Sequence, residues 1–158
     1  MPISSTLSTV GRVVSLMLVG LLAGSVFGVW RGFDFAQYTP AAYLEVHQGA
    51  VRGLDMLLPV QGILAIVIVV ALAIGARHDR RQLVLLIAAA FLLAAAGLIT
   101  RLGNQPINGL VMSWTADTLP AEWEALRDSW RNLHLLRTIS TMAALLLLSI
   151  AAATDRRA

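Results

Sequence analysis

Long apolar runs dominate the hydrophobic pattern of this chain, and each has about the length of a membrane-spanning helix. A helix needs roughly 20 apolar residues to cross a hydrocarbon layer of about 30 Å, and residues 13–30, 83–102 and 133–153 each come close to that length. A fourth run, residues 54–76, also qualifies, with one acidic residue inside it. The pattern therefore predicts an all-α fold, a four-transmembrane-helix bundle that forms a single domain over residues 1–158.

Helices two and four are predicted to extend beyond the outer face of the membrane. Helix two starts at Pro40, with Thr39 as its N-cap, since a hydroxyl followed by proline is a typical helix start. It continues to residue 76, about 55 Å at 1.5 Å per residue, which is longer than the bilayer requires. We expect Pro59 to kink it. Helix four is expected to begin at Asp117 or Thr118, several turns before its apolar run.

Helix three is predicted to end near Asn104. Pro106 follows closely, and a proline both lacks a backbone donor and disfavours helical geometry in the residue before it. Residues 106–119 are then expected to form a short interfacial helix or loop, anchored at the membrane surface by Trp114.

Helix one carries three glycines spaced four residues apart, Gly20, Gly24 and Gly28. This doubled GxxxG pattern allows a second helix backbone to approach closely within a membrane. We expect a helix of the same chain to pack there. Contact with a second copy of the chain, giving an oligomer, is the alternative.

The composition agrees with the membrane prediction. Hydrophobic residues make up 58% of the chain and charged residues 13%, against about 25% charged in an average soluble domain, and the mean hydropathy is +0.75. Four spans in 158 residues leave no room for a soluble domain, so function is expected to lie in polar residues of the bundle. The chain has no cysteine, which excludes disulfides and thiolate ligands, and its net charge of +3 does not indicate a nucleic-acid partner.

Arginines indicate which side of the membrane each connection occupies. Arg77, Arg80 and Arg81 lie in the turn between helices two and three, and Arg156 and Arg157 end the chain. By the positive-inside rule both groups face the cytoplasm, so both termini are predicted to be cytoplasmic. We expect an integral protein of a bacterial plasma membrane, with the first helix retained instead of being removed as a signal peptide.

Polar residues at the outer ends of three helices indicate a candidate site. On a helical wheel at about 100° per residue, Trp130 and Arg137 fall within about 60° of His134. An intramembrane arginine must face protein or water, because exposure to lipid costs several kcal/mol. Helix two brings a second histidine to this level, and the end of helix three brings an arginine and two asparagines, which is the arrangement of a pocket. The candidate site residues are His47, Arg101, Asn104, Asn108, Trp130, His134 and Arg137.

Structural roles explain some of these residues equally well. Tryptophans at a membrane interface commonly form an aromatic belt, and a lone histidine is more often a hydrogen-bonded structural group than a base or ligand. Because two histidines lie at one depth beside Arg137, the sequence supports a functional site about as well as it supports a purely structural role for these residues. His78 lies on the opposite side, about 30 Å away by helix length, and is excluded from the site.

Two short motifs resemble those of a known family. The motifs are NQPIN, residues 104–108, and WxxxHxxRT, residues 130–138, and a tryptophan-bearing acidic segment lies between them. They resemble the anthrone oxygenase-like family of small four-helix membrane proteins, and the similarity in helix number and spacing covers the whole chain. The resemblance implies oxidation of anthrones to anthraquinones by molecular oxygen, with no obvious flavin or heme motif. The residues that match are Asn104, Pro106, Asn108, Trp130, His134, Arg137 and Thr138.

The chemistry that fits this resemblance is proton abstraction followed by direct reaction of the enolate with dioxygen. A base with a pKa near neutrality, donors for the enolate oxygen and an apolar slot for the rings would be required. His134 or His47 would be the base, and Trp130 would stack on the rings. The oxyanion would be stabilised by Arg137, Arg101, Asn104 and Asn108.

Two alternatives remain open from the sequence. His47 and His134 could hold copper, iron or a heme, although neither histidine lies in a spacing that specifies a metal. Alternatively, the protein could be a non-catalytic bundle that binds a heme, quinone, lipid or partner protein. In each case the expected surroundings are the lipid bilayer and an apolar small molecule, with dioxygen in addition for an oxygenase.

Overall fold

The computed structural model of the chain describes residues 2–155, with side chains from residue 6 onward. Arg156 and Arg157, which the charge argument assigns to the cytoplasm, lie outside the described residues. A short 3₁₀ turn, Phe35–Gln37, and a π-helical turn, Thr100–Asn104, accompany the α-helices, and the described backbone contains no strand. The helices are α1 (Pro2–Gly32), α2 (Pro40–Leu54), α3 (Leu57–Gly75), α4 (Arg80–Ile99), α5 (Gln105–Ser113) and α6 (Trp123–Ala153).

Four helical stretches are long and apolar enough to cross a membrane. They carry large exposed hydrophobic side chains, such as Phe91 and Leu146, which suit a lipid environment. The prediction of an all-α fold with four membrane-spanning helices is confirmed, and the chain is an integral membrane protein. The 31 residues of α6 form a helix about 46 Å long, which exceeds a hydrocarbon layer of about 30 Å. The candidate spans are Thr6–Gln37, Leu57–Gly75, Arg80–Ser113 and Trp123–Ala153.

The four spans pack as a ring in which α1 and α4 each contact both α3 and α6. Small side chains let the helices approach closely where lipid provides no hydrophobic drive for association. We refer to the end of the bundle near Arg12 as the Arg12 end and to the opposite end as the His134 end. Buried core residues include Val19, Ala65, Val69, Leu86, Ala89, Leu93, Ala144 and Leu148.

The predicted continuous helix from Pro40 to residue 76 is wrong, because the structure divides it in two. Helix α2 ends at Leu54 and α3 begins at Leu57, with Asp55 and Met56 in a turn between them. Pro59 explains the break, since it has no N–H for the carbonyl of Asp55 and its ring would clash with that carbonyl in a continuous helix. As a result α2 packs against α5.

The predicted end of helix three near Asn104 is also wrong. Helical structure continues from α4 to α5 through the π-helical turn, in which the N–H of Gln105 donates to the carbonyl of Thr100, five residues earlier. The wider turn places Pro106 at the start of α5, where a missing N–H is tolerated. The segment predicted as an interfacial helix or loop is therefore helical as far as Ser113.

Helix four begins later than predicted, at Trp123 and not at Asp117 or Thr118. The hydroxyl of Thr118 instead accepts the N–H of Thr115 at 2.9 Å. This bond closes a local turn, a common alternative to N-capping for threonine. The acidic segment before α6 is therefore a loop.

The glycine stripe of α1 does not pack against another helix of the chain, so that prediction is wrong. No heavy atom of another described segment lies within 4 Å of a Cβ built on Gly20, Gly24 or Gly28. Close approach of α1 and α3 occurs instead at Gly11, whose Cβ would lie 3.2 Å from Leu72. Contact of the stripe with a second copy of the chain stays a prediction.

Candidate functional site

Two adjoining cavities lie at the His134 end. The first, which we call the small cavity, has a volume of about 50 Å³ and is lined by polar and aromatic side chains, among them His47, Asn108 and Trp130. The second, which we call the apolar cleft, has a volume of about 660 Å³ and lies among α1, α3, α4 and α6. The residues that line both are Val26, Asp55, Leu58, Pro59, Thr100, Gln105 and Arg137.

His134 on α6 lines the small cavity and has partners at both ring nitrogens. Its Nε2 lies 2.8 Å from the carbonyl oxygen of Val26, and because a carbonyl only accepts, Nε2 carries the hydrogen. Its Nδ1 accepts from Arg137, at 2.6 Å from Nη2 and 3.1 Å from Nε. His134 is therefore a neutral imidazole whose lone pair is already engaged.

Arg137 lies one helical turn after His134 and reaches the boundary between the two cavities. Besides His134, its guanidinium donates to the hydroxyl of Thr100 at 3.3 Å. Its hydrogen bonds thus go to neutral groups, and no described carboxylate lies within ion-pair distance of it. A cation in a membrane helix without a counter-ion is costly. Asp55 lines both cavities as well, but it bonds to Gln105 and does not form an ion pair with Arg137.

His47 on α2 is 1% exposed and lies across the small cavity from α6. Its Nε2 is 3.2 Å from Oδ1 of Asn108, which also accepts from Nε1 of Trp130 at 2.7 Å. Because this amide oxygen accepts, Nε2 of His47 donates, and the unprotonated Nδ1 has no partner among the described residues. Burial lowers the pKa of His47 to about 4, against a smaller upward effect of the Asn108 bond. The imidazole is neutral and has a free lone pair, and its pKa lies below the near-neutral value expected of the base.

Aromatic rings fill the space around the two histidines. The Trp130 ring centroid lies 4.7 Å from each imidazole, and its plane is stacked on that of His134 at 18°. Phe35 adds an edge contact to Trp130 at 5.8 Å. One indole face is thereby occupied by His134, and Trp130 does not line the apolar cleft. Stacking of Trp130 on a substrate ring stays a prediction.

The structure brings most of the predicted site residues together but separates two of them. His47, Asn108, Trp130, His134 and Arg137 all line the small cavity. Asn104 is buried behind this group, donates to the carbonyl of Trp130 at 3.1 Å and lines neither cavity. Arg101 is exposed and lines only the apolar cleft. Thr138, from the second motif, donates to the carbonyl of His134 and lines neither cavity.

Comparison with known proteins assigns the chain to a family. The model of a family described as anthrone oxygenase matches residues 51–147, more than half of the chain. The chain belongs to the anthrone oxygenase family. No curated protein and no solved structure shows significant similarity to it. The region matched by the anthrone oxygenase family includes Arg137 and His134, whereas His47 lies just before it.

The donors at this site do not fit the metal or heme alternatives well. Both nitrogens of His134 are engaged, and the described residues contain no group of three or more histidine or acidic side chains that could hold an ion. The small cavity, at about 50 Å³, has no room for a porphyrin. The geometry of the site therefore does not support His47 and His134 as metal ligands.

Several groups of the site were missed by the sequence interpretation. The carbonyl of Val26 orients His134, and a backbone oxygen leaves no signal in a sequence. Thr100 holds Arg137, and the side chain of Gln105 donates to Asp55 where α5 meets the turn between α2 and α3. Gln105 lies within NQPIN but is not one of the residues that match the family motif, so the resemblance did not indicate a role for it.

Proposed function

We propose that this protein is an oxygen-dependent membrane monooxygenase that oxidises an apolar, anthrone-like aromatic substrate. The observation that supports this most strongly is the position of Arg137, which forms no ion pair with a described carboxylate where the apolar cleft meets the small cavity containing His47. Asp55 lines the same boundary but bonds to Gln105. An anthrone enolate is a fused-ring anion that matches both features. The cleft volume of about 660 Å³ is in the usual range of small-molecule sites, about 300–1,000 Å³.

The first proposed step is proton abstraction by His47. The rings of the substrate occupy the apolar cleft and its carbonyl oxygen faces Arg137. His47 Nδ1 removes one proton from the CH₂ group between the rings, and the carbon's electron pair delocalises onto the carbonyl oxygen as an enolate. Arg137 stabilises the developing negative charge, which is the role of a preorganised cation in such a site. His134 keeps the guanidinium oriented by accepting its hydrogen bonds.

The second proposed step is the reaction of the enolate with dioxygen. The enolate transfers one electron to dioxygen, and the resulting carbon radical and superoxide combine to form a C–O bond. The peroxide anion takes the proton from the His47 imidazolium. His47 then removes the remaining C–H proton as the O–O bond breaks, and the departing hydroxide takes this proton to become water. CH₂ and O₂ thus give C=O and H₂O, with no external reductant.

The small cavity suits the oxygen half of this reaction. Its volume of about 50 Å³ accommodates a molecule of dioxygen or a water, since a liquid water occupies about 30 Å³. Aromatic walls around His47 also exclude bulk water from the peroxide. The charge distribution supports an orientation with this site on the outer side of a bacterial plasma membrane and with both termini in the cytoplasm.

The test is oxygen uptake by the purified protein on addition of anthrone. We expect His47→Gln to lower the rate by about 10²–10⁴-fold, the usual contribution of a general base. His78→Gln is the matched control, because His78 is exposed, bonds to Arg77 and lies at the opposite end of the bundle. Wild-type rates in His47→Gln would contradict the proposed base.

A non-catalytic bundle that binds a quinone or lipid is the second candidate, and the apolar lining of the cleft favours it. In that case the wild-type protein would bind anthraquinone, the fused-ring product analogue, without consuming oxygen in the presence of anthrone. The same oxygen measurement therefore separates the two functions.

A further inference from the structure

The apolar part of the cleft opens between two of the four spans. Its lining residues on α1 and α6, such as Leu22 and Thr141, are buried or half-buried. Its exposed apolar lining residues belong to α3 and α4, and include Ile63 at 62% and Leu98 at 60% exposure. The opening therefore lies between α3 and α4.

This opening faces the hydrocarbon part of the membrane. Ile63 and Leu98 lie inside the spans Leu57–Gly75 and Arg80–Ser113. Toward the Arg12 end the same two helices pack tightly, with Val69 and Leu86 in the core.

Small residues keep the gap open at the level of the cleft. Ala94 and Gly97 are exposed on α4 at the cleft, and a Cβ built on Gly97 meets no atom within 4 Å. Gly62 lines the cleft from α3. Bulky side chains at these positions would fill the space that joins the cleft to the lipid.

The polar groups of the cleft are concentrated toward the π-helical turn and the start of α5. Thr100, Arg101 and Gln105 belong to these two elements, and Asp55 is held at this level by its bond from Gln105. Arg137 approaches the same level from α6 through its bond to Thr100. The walls toward the Arg12 end are aliphatic. A molecule that satisfies both parts has fused apolar rings with an oxygen-bearing end, whereas an acyl chain satisfies the walls alone.

We infer that the gap between α3 and α4 is a lateral entrance, through which a fused-ring aromatic ketone passes from the hydrocarbon core of the membrane into the apolar cleft. This inference rests on the proposed function and adds the route and the phase from which the substrate is drawn. Molecules of this class partition into lipid, so an entrance from the bilayer draws on the phase where they are concentrated.

The absence of cysteine from the chain allows the entrance to be blocked chemically and reversibly. Ala94→Cys places a thiol in the opening, and Ala71→Cys places one on an exposed position of α3 that lines no cavity. Each variant is reconstituted in phosphatidylcholine nanodiscs and labelled with either a benzyl or a methyl methanethiosulfonate. The association rate of anthraquinone and the anthrone-dependent oxygen uptake are then measured, before and after reduction.

We expect the benzyl label on Ala94→Cys to lower the association rate about ten-fold or more, because the added ring overfills the opening. The methyl label should have a much smaller effect, reduction should restore the rate, and labels on Ala71→Cys should change nothing. An unchanged association rate in benzyl-labelled Ala94→Cys would overturn the entrance, even if the wild-type protein oxidises anthrone.

The binding measurement separates this inference from the proposed function. If the wild-type protein binds anthraquinone, consumes no oxygen and is blocked only at Ala94→Cys, the entrance stands and the oxygenase proposal fails. If anthraquinone does not bind and bromine-labelled acyl chains are found in the cleft, the cleft holds lipid and the entrance is overturned.

Discussion

Arg12 and Arg137 lie toward opposite ends of the helical bundle, and they differ in what balances their charge. Arg12 forms an ion pair with Asp155 at 2.7 Å, and the two side chains are 12% and 4% exposed. Arg137 donates to a neutral histidine and a threonine hydroxyl, and no described carboxylate pairs with it. The charge of Arg12 is thus balanced by a direct ion pair, whereas that of Arg137 is not, and Asp55, which lines the same cavities, bonds to Gln105 instead.

The neighbours of the two arginines show the same difference. Around Arg12, the side chain of Gln82 donates to the carbonyl of Ala151 at 3.0 Å, and Arg12 donates to the same carbonyl at 3.3 Å. These bonds satisfy the last turn of α6, so this cluster joins α1, α4 and α6. Around Arg137 the neighbours are cavities. Both ends are polar, so polarity alone does not distinguish a structural cluster from a candidate functional site. The presence or absence of an ion pair to the arginine distinguishes them more clearly.

The largest expected effect is on stability at the Arg12 end. Arg12→Leu deprives the buried carboxylate of Asp155 of its arginine, and removing one partner of a buried pair typically costs about 3–5 kcal/mol. The free energy of unfolding in mixed SDS and detergent micelles measures this change. Arg80→Leu serves as the control, since Arg80 is exposed and should contribute less than about 0.5 kcal/mol. A loss as small as that of the control would show that the cluster does not hold the helices together.

The second effect concerns pH and the buried histidine of α2. His47 has a pKa of about 4 in the folded protein, against 6.5 for a free histidine. Below pH 6.5 the unfolded chain therefore binds a proton that the folded chain does not, so stability should decrease as the pH falls from 6.5 to 4. The decrease should total about 3 kcal/mol, relative to full stability above pH 6.5. The free energy of unfolding of His47→Gln, measured over the same pH range, should lack this decrease. If the wild type and the variant lose stability equally as the pH falls, the prediction is contradicted.

The third effect distinguishes the two arginines directly. Arg137→Leu should lower anthrone-dependent oxygen uptake by about 10²-fold, comparable to the loss of one oxyanion donor. Its free energy of unfolding should not fall as it does in Arg12→Leu, because no carboxylate loses its partner. If instead Arg137→Leu destabilises the protein as much as Arg12→Leu, both arginines are structural and the contrast between the two ends disappears.

The two prolines show how far the sequence can predict this fold. Pro59 and Pro106 are both correctly identified as points where a helix is disturbed, and the four spans follow from the lengths of the apolar runs. The outcomes are nevertheless interchanged: the helix expected to kink at Pro59 is broken, and the helix expected to end before Pro106 continues through a π-helical turn. What a proline does depends on which other groups satisfy the freed carbonyls, and those groups come from tertiary packing.

The sequence predicted which side chains meet at the candidate site, but neither their hydrogen bonds nor the apolar cleft beside them. The stripe of Trp130, His134 and Arg137 follows from helical spacing, and the structure places these residues beside His47 as expected. The roles of the two histidines could not be separated, because the difference lies in their hydrogen bonds. Val26 and Arg137 engage both ring nitrogens of His134, whereas Nδ1 of His47 has no partner among the described residues. The apolar cleft is a space left by small residues of several helices, which no single helix pattern reveals.

The smallest expected effect tests how Arg137 is held. Thr100 accepts from Arg137 and donates to the carbonyl of Ala96 at 2.8 Å. Thr100→Val keeps the shape but removes the acceptor, so the guanidinium keeps its hydrogen bonds to His134 and its position over the Trp130 ring. We expect a decrease in kcat of about ten-fold at most, since one hydrogen bond contributes about 0.5–1.5 kcal/mol, with little change in KM. Thr138→Val is the control, because its hydroxyl bonds only within α6. Equal kcat values in the two variants would mean that Thr100 does not position Arg137, and that the cation depends on His134 for its orientation.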